Sequence, residues 1–195
     1  MVNKLSDEHE CPIDIHLFKL INTQLHLFYN IGFTPNAVTT LSLIFGLFSA
    51  QQILVRNYKI AAFLFLVAYY LDCVDGKLAR KYNMISKFGD IYDHVSDIVK
   101  VIVVIWALLM SNKKKTTSKQ WIFLILLFVL CSMQCIHLGY QEVIYNKQDE
   151  TSTLNIWRKI VENDKTPEKT IQISKYFGCG TWYLCFALVI IFWRK

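Results

Sequence analysis

Five apolar blocks leave this chain few ways to fold. They read AVTTLSLIFGLFSAQQILV from Ala37 to Val55, IAAFLFLVAYYL from Ile60 to Leu71 and IVKVIVVIWALLM from Ile98 to Met110; WIFLILLFVLCSM runs from Trp121 to Met133 and FGCGTWYLCFALVIIFW from Phe177 to Trp193. A spanning helix needs about 20 mostly apolar residues, within a range of roughly 17–25. The first and last blocks reach that length alone, and the other three reach it by continuing into semi-polar flanks. Hydrophobic residues make up 54% of the 195, and it is their concentration into blocks that sets the chain apart from a soluble bundle. The expected fold is an all-α, polytopic integral membrane bundle.

The N-terminus MVNKLSDEHECPID has no apolar core for a cleavable signal, so the Ala37–Val55 helix is the expected first insertion signal. Before it, IHLFKLINTQLHLFYN places Leu17, Phe18, Ile21, Leu25 and Phe28 on one helical stripe. Such a stripe fits an amphipathic helix lying in the membrane interface, and equally one packed on the bundle. The chain is therefore divided into an N-terminal segment with this helix, 1–33, and a transmembrane domain, 34–195. Cys11, Cys73, Cys131, Cys135, Cys179 and Cys185 show no CxxC spacing and lie mostly in or beside apolar helices. They read as small apolar residues, neither a disulfide frame nor a zinc site. KKKTTSK (113–119) reads as a short loop. Residues 141–176 form the one long polar stretch, with a short surface helix expected in TLNIWRKIV and a turn at Thr166-Pro167.

A net charge of +6 fits contact with anionic headgroups and phosphates. The lysines flank the spans and form no separate basic domain, which argues against a nucleic-acid partner. Lys77, Arg80, Lys81 and Lys87 favour a cytosolic 77–90 loop. Simple alternation then puts Lys113, Lys114, Lys115 and Lys119 on the opposite side, so charge counting alone gives conflicting orientations.

Between the second and third blocks lies LDCVDGKLARKYNMISKFGDIYDHVSD, residues 71–97. A carboxylate near hydrocarbon is costly and marks a functional site. Asp72 and Asp75, three apart, share a helix face, as do Asp93 and Asp97, four apart. If the chain reverses through KYNMISKF the two faces meet. Four clustered carboxylates repel one another, and Mg²⁺ or Mn²⁺, which prefer oxygen ligands, resolve that conflict. Two such ions about 3.5–4 Å apart suit phosphoryl chemistry. Gly76, Ala79 and Gly89 clear space for a ligand to approach the backbone, and Arg80 is a planar donor suited to phosphate. Each residue alone has an ordinary reading as a cap, breaker or interfacial anchor. The spacing D-x2-D-G-x2-A-R-x8-G-x3-D-x3-D is what raises them above it.

That spacing resembles the signature of the CDP-alcohol phosphatidyltransferase family, with all of its positions present as Asp72, Asp75, Gly76, Ala79, Arg80, Gly89, Asp93 and Asp97. FTPNAVTTLSLI, with Pro35 and Asn36, is also similar to the start of the family's first helix. The resemblance covers roughly residues 30–110 well and the rest more loosely. It implies about six membrane helices, so the expected bundle has five to six. It further implies a homodimer and a metal site facing the cytosol, in the endoplasmic reticulum or another cellular membrane. The implied reaction transfers a substituted phosphate from a CDP-linked lipid or CDP-alcohol donor to an alcohol acceptor, releasing CMP. Asp72, Asp75 and Asp93 become metal ligands by this resemblance, Asp97 a ligand and the catalytic base, and Gly76, Ala79 and Gly89 the CDP site. Asn36 and His94 are accessory candidates, His94 chiefly as a hydrogen-bond partner of a carboxylate.

The short chain, and DETSTLNIWRKI ahead of the last span, look more like phosphatidylinositol synthases, which use CDP-diacylglycerol. DGKLAR followed by DHxxD resembles instead the branch that transfers from CDP-choline or CDP-ethanolamine to diacylglycerol. A membrane prenyltransferase would need DxxxD motifs on two helices, and only Asp93–Asp97 has that spacing. A non-enzymatic divalent-ion carrier would explain the aspartates but not the Gly-Ala-Arg positions.

Overall fold

Local signals start the helices. Thr34 caps the N-terminus of one, its hydroxyl accepting from the Ala37 N–H at 3.2 Å, with Pro35 in the first turn. Ser86 caps another, accepting from the Gly89 N–H at 3.0 Å. The computed structural model describes residues 8–111, 117–145 and 155–194, and every regular element among them is helical. In chain order they are α1 (Pro12–Asn30), α2 (Pro35–Leu54), α3 (Tyr58–Lys81), α4 (Lys87–Met110), α5 (Ser118–Tyr145), α6 (Asn155–Val161), α7 (Pro167–Ser174), a 3-10 turn (Lys175–Phe177) and α8 (Cys179–Phe192). The expected short helix in 153–161 is α6; the turn expected at Thr166-Pro167 lies earlier, at Glu162 and Asn163, because Thr166 is the N-cap of α7 and Pro167 its first residue. Lys113 to Thr116 of the expected loop lie outside the described residues.

Small residues let α2 sit against both α3 and α4. Ser42, Gly46, Ser49 and Ala50 are buried on it, and close backbone approach through such residues is how helices associate in lipid. Two of their hydroxyls donate to α3 carbonyls, Ser42 to Ala68 and Ser49 to Ala61, both at 2.8 Å. At the far end Phe65, Tyr183 and Phe186 form an aromatic core. There Trp193 donates to the Leu108 carbonyl at 2.9 Å and Gln120 to the Trp193 carbonyl at 2.9 Å. Large apolar side chains point outward: Ile44, Leu47 and Phe48 on α2, Ile98, Ile102 and Trp106 on α4, Ile122, Ile125 and Phe128 on α5.

Three stretches are long and apolar enough to cross a membrane: Pro35–Leu54, Ser118–Tyr145 and Pro167–Phe192, the last joining α7, the 3-10 turn and α8. The five blocks thus yield three spans by length and composition. Each of α3 and α4 has 24 residues, about 36 Å of helix, but crowds its charged residues toward one end, apart from Lys59 in the first turn of α3. Asp72, Asp75, Lys77, Arg80 and Lys81 end α3; Lys87, Asp90, Asp93, Asp97 and Lys100 begin α4.

The stripe on α1 faces the bundle, so packing rather than lipid accounts for it. Ile21 and Leu25 are fully buried with Val38, Leu71, Val74 and Leu78, and Leu17, Phe18 and Phe28 pack on that cluster. The six cysteines are unpaired, Cys11 buried and the others half-buried.

Candidate active site

The chain reverses between α3 and α4 through residues 82–86, where Asn83 takes a positive φ of 55°. Asparagine tolerates that left-handed conformation better than most side chains. The reversal brings the two acidic helix faces together. One carboxylate oxygen from each of Asp72, Asp75 and Asp93 lies within 4.8 Å of the others. Asp75 is 3% exposed, and its Oδ2 accepts a 2.6 Å hydrogen bond from the Thr39 hydroxyl of α2. Asp93 Oδ1 is buried and has no hydrogen-bond partner among the described residues.

The fourth carboxylate is held differently. Lys100 extends from α4 into the interior, only 1% exposed. Its Nζ lies 2.6 Å from Asp97 Oδ1 and 2.8 Å from Asp72 Oδ1, and donates to the Ser42 hydroxyl at 2.7 Å. Asp97 therefore belongs to an ion-pair cluster that shares Asp72 with the triad. Neither Lys100 nor Thr39 was among the sequence candidates. The available signal was a single lysine interrupting IVKVIVV, three residues after Asp97.

Asp75 and Asp93 open onto a cleft of about 280 Å³ whose lining includes Asn36, Thr39, Gly76, Ala79, Arg80 and Gly89. Five of the sequence candidates thus share one cavity with two of the aspartates. A Cβ on Gly76 would sit 3.3 Å from the Arg80 guanidinium nitrogens. One on Gly89 would sit 3.0 Å from Asn36 Oδ1 and from Ser86 Oγ. Both glycines therefore keep space open where polar groups converge. Asp72, Asp97 and Arg80 also border a second, larger cavity of about 490 Å³ between α1, α3, α4, α5 and α8. Its walls are mainly apolar, with His94, Lys77, Gln134, His137 and Gln141 among the polar residues.

His94 lines this second cavity and not the cleft. Its Nδ1 lies 2.7 Å from the backbone carbonyl of Asp90 and 3.8 Å from that residue's carboxylate. His137 of α5 is buried. It contacts the Ser174 hydroxyl at 3.0 Å through Nδ1 and Gln141 at 2.8 Å through Nε2.

An all-oxygen donor set, three converging carboxylates and a buried carboxylate oxygen lacking a partner fit a hard divalent cation. Without one, the mutual repulsion of the triad would be opposed by the charges of Lys100 and Arg80 and by the Thr39 hydroxyl. Arg80 adds a guanidinium whose Nε is buried without a hydrogen-bond partner among the described residues. The arrangement can hold a cation at the base of a cleft and present a planar donor to a phosphate above it.

A family model described as CDP-alcohol phosphatidyltransferase matches residues 33–193. Archaetidylinositol phosphate synthase of Pyrococcus horikoshii is 32% identical over 68 residues, 35% of this chain and 36% of that protein. CDP-diacylglycerol–serine O-phosphatidyltransferase of Mycobacterium leprae is 31% identical over 102 residues, 52% of this chain and 34% of that protein. CDP-diacylglycerol–glycerol-3-phosphate 3-phosphatidyltransferase of Rickettsia felis is 41% identical over 54 residues, 28% of this chain and 30% of that protein. The matches thus span about a third of each relative's length. No solved structure matches significantly.

Proposed function

Because this chain belongs to the CDP-alcohol phosphatidyltransferase family, we propose that it transfers a substituted phosphate from a CDP-linked donor to an alcohol hydroxyl and releases CMP. The observation that carries this reading is the meeting of Asp72, Asp75 and Asp93 beside the cleft that holds Asn36, Gly76, Ala79, Arg80 and Gly89. The three carboxylates would hold Mg²⁺ or Mn²⁺. When bound, the cation would neutralise charge on the donor diphosphate and on the departing CMP. A two-ion form of the site would also draw on Asp97.

The chain's own residues do the rest. Gly76 and Gly89 leave the cleft wide enough for the CDP moiety to reach the backbone. Arg80 donates to a phosphate oxygen with a geometry lysine cannot reproduce. Thr39 orients Asp75 through its 2.6 Å hydrogen bond. Asp97 borders the larger cavity and accepts the proton of the acceptor hydroxyl as that hydroxyl attacks phosphorus. His94, half-exposed on the same cavity wall, assists at most through the acceptor.

Two of the relatives above are named for CDP-diacylglycerol, and the larger cavity has mainly apolar walls, which supports CDP-diacylglycerol as donor. The named acceptors of those two, serine and glycerol 3-phosphate, differ, and the alcohol used here is not fixed by them. A lipid substrate also gives the bundle its setting, in which α2, α3, α4, α5 and α8 each cross the bilayer and the cleft opens to the cytosol.

The test is CMP release from labelled CDP-diacylglycerol by the reconstituted protein, with a panel of alcohols and with Mg²⁺ or Mn²⁺. Divalent-dependent CMP release with one alcohol supports the reading, and the same result with CDP-choline and diacylglycerol would move the chain to the other donor branch. Divalent-ion flux without CMP release would replace the reading with a carrier.

A further inference from the structure

We propose that Lys100 is a built-in cation of this site, occupying the place between Asp72 and Asp97 so that the chain binds one divalent ion and not two. The proposal rests on the metal reading above and changes its stoichiometry. A two-ion site needs all four aspartates, with Asp97 contributing to the second ion. Here Asp97 and Asp72 already share a positive charge, the ammonium lying 2.6 and 2.8 Å from their Oδ1 atoms.

The ammonium is not a stray surface group. Lysine is almost never fully buried unless paired, and this one is 1% exposed. It donates to Asp72 at 2.8 Å and to the Ser42 hydroxyl at 2.7 Å, and it forms a close ion pair with Asp97. The stem is accommodated by a second feature of α2. A Cβ on Gly46 would stand 2.7 Å from Lys100 Cγ, 3.1 Å from Cδ and 3.3 Å from Cβ. The first of these is closer than real Cβ atoms come, so the groove exists because residue 46 has no side chain. Gly46 and Ser42 are four apart on one helix and so share a face. One clears the path of the lysine and the other receives its end.

Occupation of this place has a direct electrostatic consequence. A divalent ion seated between Asp72 and Asp97 would lie next to a buried ammonium, with like charges opposed in a medium that screens them poorly. The lysine would have to leave its groove, and the groove is fitted to it. Of the triad Lys100 touches Asp72 alone; Asp75 and Asp93 make no ion pair or hydrogen bond with it among the described residues, so those two carboxylates remain available to an ion that Asp72 shares. Lys100 is accordingly a positioning residue: it fixes the Asp97 carboxylate and closes the second ion position without touching the donor cleft.

The experiment counts ions. The full chain is purified in detergent, titrated with Mn²⁺ while free Mn²⁺ is followed by electron paramagnetic resonance, and analysed for bound metal after desalting. The expected result is one ion per chain for the native protein, rising to two in Lys100→Met, with the second ion giving a spin-coupled signal. Two ions in the native protein would overturn the proposal, as would a count unchanged at one in a folded Lys100→Met. If Lys100→Met does not fold, Lys100→Gln, which keeps a polar end for Ser42, is measured in its place. No bound ion in the native protein would instead overturn the metal reading on which the proposal rests.

Discussion

Asp97 and His94 lie on the same stretch of α4 and border the same cavity, yet their surroundings assign them different work. Asp97 is paired with Lys100 at 2.6 Å, whereas His94 contacts the Asp90 backbone carbonyl at 2.7 Å. Asp97→Asn keeps the shape but removes the proposed base, and proton transfer by a positioned base contributes about 10²–10⁴-fold. Turnover is expected to fall by that factor while CDP-donor binding at saturating metal changes little. His94→Gln is expected to cost far less, and loss of turnover in His94→Gln with near-normal Asp97→Asn would reverse the assignment. Thr39→Val removes a hydrogen bond to a charged group, with an effect of about 1.5–3 kcal/mol. It should appear as weaker metal affinity, read by Mn²⁺ titration, with unchanged affinity arguing that Asp75 needs no orienting. The paired aspartates were legible in the sequence because i, i+3 and i, i+4 spacing fixes a shared face whatever the fold. Lys100 was not. Its partners Asp72 and Ser42 lie 28 and 58 residues away, and spacing along one helix carries no information about them.

The helices themselves follow from the apolar blocks and their caps, but the partner of a helix face does not. For α1 the stripe Leu17, Phe18, Ile21, Leu25 and Phe28 was equally compatible with lipid and with protein. A buried acid shows which: Asp14, 2% exposed, accepts from the Tyr69 hydroxyl of α3 and from the Gly180 N–H of α8 at 3.1 Å. Burial is the main cause holding its carboxyl above the ordinary value of 3.8, opposed by those hydrogen bonds. The folded state thus binds this proton more tightly than the unfolded state does. Its contribution to stability is complete below about pH 4 and falls as pH rises through the raised folded value. Asp14→Asn cannot titrate, so the thermal midpoint of the native protein should decline more between pH 4 and pH 7 than that of the variant. Parallel declines, measured in the same detergent, would exclude Asp14 as a source of the slope. Gly180 bears on the same contact. A Cβ there would meet the Asp14 carboxylate and stand 2.9 Å from the Ile13 side chain, so Gly180→Ala should loosen α1 and raise its proteolysis.

At the scale of the whole molecule, the hydrogen bonds sort the chain into two ends and bear on the conflict left by the lysines. The start of α2 and the turn 82–86 share the cleft, and Tyr29 at the end of α1 stacks on Tyr82 with centroids 3.8 Å apart. The end of α5 joins this side through Tyr140, which donates to Asp164 at 2.7 Å, as does α7 through Ser174 on His137 at 3.0 Å. At the other end Tyr58 donates to Ser111 at 3.3 Å and Gln120 to the Trp193 carbonyl at 2.9 Å. In the setting proposed above, five crossings by α2, α3, α4, α5 and α8 would connect the two ends. Lys119 does fall opposite the 77–90 loop, as alternation required. But Arg158, Lys159, Lys165, Lys169 and Lys175 follow the end of α5 and fall on the cleft side with Lys77, Arg80, Lys81 and Lys87, against Arg56, Lys59, Lys119 and Arg194 at the other end among the described residues, an excess that supports the cytosolic cleft proposed above. The sequence could not show this, because the side reached by residues 155–175 depends on how many helices precede them. Single cysteines in a cysteine-free background test it at exposed positions: Asn83→Cys and Ile173→Cys should be labelled by a membrane-impermeant thiol reagent from the cytosolic side, and Val55→Cys and Lys119→Cys from the other. If all four labels exchange sides, the five crossings stand and the cytosolic cleft is wrong. If Asn83 and Ile173 label from opposite sides, the five-crossing frame itself fails.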